Sequence, residues 1–168
     1  LTRRMQPLAA ALAVAAALLL AAGCATREPV LAQRAATGAI TPRIELAEVP
    51  FFPQDDFQCG PAALATVLTY SGRATTPETL APRMYLPERK GSLQVELVAT
   101  ARSHQRIPYV LPPTMDSLLG ELQAGRPVVV LQNLGLESVP VWHFAVVVGY
   151  SVPEETLVLR SGAERRKI

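Results

Sequence analysis

The chain has 168 residues, 49% hydrophobic and 18% charged, a balance that fits one compact domain and excludes disordered, collagen-like and low-complexity chains. Sixteen Lys and Arg stand against 14 Asp and Glu, and setting aside Arg3 and Arg4, which fall in a leader-like segment, leaves the rest formally neutral. Without clustered cations to displace counterions there is no footprint for nucleic acid, so that partner is set aside.

Arg3 and Arg4 are followed by an Ala- and Leu-rich run over residues 8–22 and then Gly23-Cys24, the charged, apolar and small-residue zones of an export signal. The run is shorter than the roughly 20 apolar residues a spanning helix needs. Ala21-Ala22-Gly23-Cys24 resembles the lipobox of bacterial lipoproteins. That resemblance implies a signal peptide over residues 1–23 and an acylated N-terminal Cys24 that holds the protein to a lipid bilayer. Ala25, in place of Asp, implies sorting to the outer membrane, facing the periplasm. Cys59 is then the one remaining thiol, and no internal disulfide can form.

Residues 24–44 are rich in Ala, Thr and Pro without a sustained apolar period and are expected to be a flexible tether, with the folded body spanning 45–168. Val49 to Phe52 is expected as a short strand. A helix follows over Gly60–Tyr70, closed by Gly72. Thr76-Pro77-Glu78 opens another, with Thr at the cap and Pro in the first turn. Leu93, Leu97, Val98 and Ala101 mark a helical stripe over Ser92 to about Gln105. Pro108 to Leu111 reads as a brief extended piece. Met115, Leu118, Leu119 and Leu122 form the next helix, ended by Gly125, and Val128–Leu131 is a β-branched buried strand. Trp142–Tyr150 and Thr156–Leu159 read as two strands joined by a turn. Helices first and strands last predict an α+β fold, N-terminal helices packed on a C-terminal antiparallel sheet.

Cys59-Gly60-Pro61 puts a thiol at a helix start, where exposed N–H groups favour negative charge and hence thiolate, the nucleophilic form of sulfur. Gly60 there leaves room for a substrate backbone, and Pro61 suits a first turn that has no use for its N–H. A lone Cys is more commonly a small buried hydrophobe, and a lone His a structural imidazole. Paired, a thiol on a helix start and His143 at the head of a distant strand are what Cys–His hydrolases need. Gln54 offers an amide N–H beside the Cys59 backbone N–H for an oxyanion, or is simply a surface loop side chain. His104 reads as solvated near a helix end, Asp55 and Asp56 as a loop pair, and Trp142 as either a cleft wall or core. Two distant histidines and one thiol do not make a zinc cluster, and no other cofactor is expected.

Gln54…Cys59-Gly60-Pro61-Ala62-Ala63-Leu64, Gly91-Ser92-Leu93…Leu97…Ala101, Gly125-Arg126-Pro127-Val128-Val129-Val130 and His143-Phe144-Ala145-Val146-Val147-Val148-Gly149-Tyr150 together resemble the bacteriocin-processing, double-glycine cysteine peptidases, over about residues 49–162. The resemblance implies a papain-like fold and hydrolysis of a peptide or protein substrate, with Cys59 as nucleophile, His143 as general base and then acid, and Gln54 in the oxyanion hole. Familiar members are fused to transporter and ATPase domains, but this sequence has no P-loop, so ATP is not expected as a partner.

Two features depart from the family. Its orienting Asp after the His is replaced in Leu159-Arg160-Ser161-Gly162 by Arg or Ser, and Gln54 lies one residue nearer the Cys than in papain-like relatives. The ending Glu164–Ile168 lacks a clear cap, which leads to the expectation that the domain is C-terminally incomplete. The missing carboxylate keeps open a catalytically impaired lipoprotein that binds peptides in the same cleft, and the shared Cys and His chemistry of another papain-like lipoprotein group keeps open a cell-wall peptide hydrolase.

Overall fold

The computed structural model describes residues 29–53, 58–162 and 164–168. Among them are five α-helices, α1 Val30–Ala36, α2 Cys59–Tyr70, α3 Pro77–Met84, α4 Gln94–Ser103 and α5 Met115–Gln123. The strands are β1 Arg43–Glu45, β2 Val128–Asn133, β3 Trp142–Ser151, β4 Thr156–Ser161 and β5 Glu164–Lys167. All strand pairings among the described residues are antiparallel, and the helices precede the main strands, as an α+β chain should.

The sheet is organised around β3. One of its edges pairs with β4, which continues to β5, and its other edge is shared by β2 along the first half and β1 along the second. Every residue from Phe144 to Ser151 is buried, because helices cover both faces of this central strand. Alternation divides its side chains between two cores. Phe144, Val146 and Val148 pack with Ala63, Leu64 and Leu68 of α2 and with Leu80, Met84, Leu97 and Ala101 of the other helices. Ala145, Val147 and Tyr150 pack with Leu119 and Leu122 of α5, Leu31 of α1 and Leu159 of β4. A bulge between Val147 and Gly149 flips the parity, which is how Tyr150 joins the second core.

Gly149 is dictated by the approach of β1: an added Cβ would lie 2.2 Å from the Ile44 carbonyl oxygen. The adjoining pairing is completed by the Leu46 N–H, which donates to the Val148 carbonyl at 2.8 Å.

Helix ends follow their sequence signals. Gly72 at φ +84° closes α2, with its N–H donating to Thr69 O and the Arg73 N–H to Leu68 O, and Gly125 at φ +74° closes α5 in the same way. The Thr76 and Thr114 hydroxyls accept from the N–H groups of Thr79 and Ser117, capping α3 and α5.

Three expectations need correction. The stretch expected as a tether up to residue 44 is folded from Val30 on: Leu31 of α1 is 4% exposed, and β1 starts at Arg43 inside that stretch. The polar, Pro-containing composition hid a seven-residue helix held by side chains distant in sequence. The Glu155 carboxylate, in the β3–β4 turn, accepts from the Leu31 and Ala32 N–H groups at 3.2 and 2.6 Å, and Arg34 pairs with Asp116 of α5. Val49–Phe52 is not a strand, since Pro50 and Pro53 remove ladder donors, and buried Val49 simply plugs the α2 core. Leu93 does not join the α4 stripe: it is the N-cap, 39% exposed.

Candidate active site

Cys59 is the first residue of α2. The next residues, Gly60 to Thr66, are all buried, so α2 is a central helix and its apolar run is explained by burial on every side. Cys59 is half-buried, makes no disulfide and packs on the core that contains Phe144.

The opposite end of α2 is fixed by Tyr70, whose hydroxyl donates to the Gly125 carbonyl at 3.0 Å, just before β2 begins. Since Val128 pairs with Val147 and Gln132 with His143, β2 runs from that end of the sheet towards the start of β3. Twelve helical residues cover about 18 Å, comparable to the strand length they lie along. Cys59 begins α2 and His143 is the second residue of β3.

His143 follows the parity of Ala145, on the side of the sheet opposite the α2 core. The imidazole Nε2 lies 2.9 Å from the Ser161 hydroxyl on β4, and Ser161 is 2% exposed. Of the two residues the sequence offered in the place of an orienting Asp, alternation selects Ser161. Arg160 turns to the α2 side, where its guanidinium donates to the Val49 carbonyl at 3.5 Å. Trp142, next to His143, is 60% exposed and is not core.

Gly60 does not leave a vacancy for substrate. A Cβ there would fall 2.6 Å from both the Cβ and Oγ of Ser92, so the chain itself fills that space. The Ser92 hydroxyl is buried without a hydrogen-bond partner. This contact explains why residue 60 is glycine opposite Ser92, a link invisible to a reading of either block alone.

Gln54, Asp55 and Asp56 lie outside the described residues, as does Cys24. His104 caps α4, with Nδ1 2.9 Å from the Thr100 carbonyl, beside a surface groove lined by Gly72, Arg73 and Gln105. That groove adjoins the C-terminal end of α2, remote from Cys59. Among the described residues no group of three His, Cys, Asp or Glu is placed to hold a metal ion, and no helix is long and apolar enough to cross a membrane.

No curated protein and no solved structure gives a match to the chain. A family model does: the model described as the Peptidase_C39 like family matches residues 46–164. The match takes in all four sequence blocks apart from the leader region and agrees with the helix-first, antiparallel α+β architecture of a papain-like fold. The chain belongs to the Peptidase_C39-like family of cysteine peptidases.

Proposed function

We propose that the protein is an extracytoplasmic, membrane-anchored cysteine peptidase that cleaves peptide bonds through a thioacyl intermediate on Cys59. The observation that supports this reading is the cysteine peptidase family match over residues 46–164, which takes in Cys59 at the start of α2 and His143 near the start of β3. His143 takes the thiol proton, and the thiolate attacks the scissile carbonyl carbon. The imidazolium then returns its proton to the leaving amine as the C–N bond breaks. Water, deprotonated by the imidazole, releases the carboxylic acid and regenerates the thiol. The oxyanion is met by the Cys59 backbone N–H, and Gln54 is proposed as the second donor. Pro61 brings no competing N–H to that first turn.

Acylation of Cys24, anchorage at the outer membrane and a periplasm-facing site belong to the same proposal and rest on the sequence of residues 1–25. Replacing Cys24 with Ser is expected to release the protein from the membrane fraction. Continued sedimentation with membranes overturns the anchor.

The catalytic reading is tested by incubating the full chain and its Cys59→Ala form with a fluorescence-quenched peptide library. Loss of a catalytic nucleophile costs about 10³ or more in turnover. Equal cleavage by both forms rejects the mechanism. Binding without cleavage by the unaltered chain identifies the impaired, peptide-binding alternative, which Arg160-Ser161 in the place of the family's orienting Asp favours. Release of amino-sugar-linked peptides from purified wall identifies the wall hydrolase.

A further inference from the structure

We infer that the outer edge of β2 is a homodimer interface, at which the strand pairs antiparallel with β2 of a second copy across a two-fold axis that sets Leu131 opposite Leu131. The inference is independent of the peptidase reading.

The hydrogen-bond pattern shows which groups are on offer. In an antiparallel ladder, pairs that exchange backbone bonds alternate with pairs that do not. The Leu134 N–H donates to the Val141 carbonyl at 2.8 Å, and the register then runs unbroken from Asn133 opposite Trp142 to Val128 opposite Val147. Gln132, Val130 and Val128 therefore turn their backbone groups to β3, while those of Val129, Leu131 and Asn133 point away from it. Among the described residues β2 pairs with β3 alone, and no other backbone meets that outer row. The two edges of the sheet differ in composition. β5 is Glu164-Arg165-Arg166-Lys167, the charged kind of edge that discourages pairing, whereas Val128–Asn133 holds no charge, no Pro and no bulge.

Apolar surface continues from this edge into the hairpin. Leu131, Leu134, Leu136, Val139, Val141 and Trp142 are each 49–72% exposed, together roughly 700 Å², near the ~800 Å² that each partner gives to a standard interface. The loop that carries them is internally knit. Asn133 Oδ1 accepts from the Gly135 and Val141 N–H groups at 3.0 and 2.9 Å, and a Cβ on Gly135 would lie 2.3 Å from the Val139 carbonyl oxygen.

The chemistry selects a second copy as the occupant. Residues 128–142 contain no Lys or Arg to meet a phospholipid headgroup, and their one charge, Glu137, lies in the hairpin loop, where entry into a bilayer would bury it. Against its own image the strand matches. A two-fold axis normal to the sheet keeps the α2 side with the α2 side, and Leu131, opposite Phe144, is on that side together with Val129 and Asn133. Leu131 on Leu131 brings the outward backbone groups of Val129 and Asn133 into register and lays Val128 against Leu134. It also carries Glu137 at each tip to the foot of the other β2, beside the exposed Arg126. No like charges face one another along the pairing.

The test is sedimentation velocity of the detergent-solubilised full chain across the micromolar range. The expected result is a dimer. Leu131→Lys and Leu131→Glu each set like charges at the axis and should weaken it at least about 100-fold, while an equimolar mixture of the two recovers a dimer. Val95→Lys, a comparably exposed apolar site on α4, should leave it unchanged. The Leu131 side chain is exposed and its N–H takes no part in the β3 ladder, so these variants keep the fold, as circular dichroism checks. A monomeric unaltered chain, a dimer indifferent to Leu131→Lys, or a mixture that stays monomeric overturns the inference. With a monomer, flotation on phosphatidylcholine vesicles or binding of an acetylated Thr-Val repeat peptide, if lost in Leu131→Lys, gives the edge to that occupant instead.

Discussion

Replacing Gly60 with Ala is the sharpest test of how the candidate nucleophile is seated. The new Cβ would come within 2.6 Å of the Ser92 Cβ and Oγ, most of an ångström inside van der Waals contact. A Cβ atom cannot swing away as a side-chain tip does, so either the loop before α4 or the first turn of α2 has to shift. Such overpacking costs about 1–3 kcal/mol. Ala in place of Gly returns at most about 1 kcal/mol of helix propensity, and less in a first turn. The net expectation is a loss of about 1–2 kcal/mol, seen in urea as a midpoint lowered by roughly 0.5–1 M with unchanged slope. Ser92→Gly removes the opposing wall together with a hydroxyl that has no partner, and the double substitution should recover at least about 1 kcal/mol relative to the sum of the single ones. A Gly60→Ala protein as stable as the original, with effects that simply add, would refute the contact and the explanation of Gly60 built on it.

Gly149→Ala drives a Cβ into the Ile44 carbonyl, a backbone atom, and is expected to cost more than about 3 kcal/mol by prising β1 from β3, measured by thermal unfolding. Glu155→Ala removes both acceptors from the first turn of α1 and should cost about 0.5–2 kcal/mol locally, read as faster hydrogen exchange at Leu31 and Ala32 with the β3 amides unaffected. The Arg126 side chain bonded to Glu121 holds that carboxyl below its usual range. The pair's contribution is therefore present above the ordinary carboxylate titration, is lost as pH falls through the lowered value, and is weakened by salt because Arg126 is exposed. Glu121→Gln should slightly lower the melting temperature at neutral pH and leave it unchanged in strong acid. A difference that persists in acid or in high salt assigns the effect to packing.

Local signals carried much of the fold. Gly72 and Gly125 end their helices in the left-handed conformation that only glycine adopts without strain, and Thr76 caps where Thr-Pro-Glu announced it. The run from Phe144 to Tyr150 was readable because a strand covered on both faces is apolar throughout. What escaped was held together across the chain. α1 depends on Glu155, 124 residues beyond Leu31, and no periodicity within seven residues reveals such a partner. Gly60 was read as space for a ligand because the residue filling it, Ser92, lies in another block. For the site, position on a helix start and a strand head suggested Cys59 and His143, but the choice between Arg160 and Ser161 required knowing which way each faces, which depends on the register of β4 against β3.

The clasp of Glu155 and Asp116 on the first helix also sets a length scale. Were a lipid carried at Cys24, only the five residues 25–29 would separate it from the docked helix, a leash of roughly 20 Å even when drawn straight. Such an enzyme could not roam far above its bilayer. It would work as a fixture close to the lipid headgroups, choosing among chains that come to that surface.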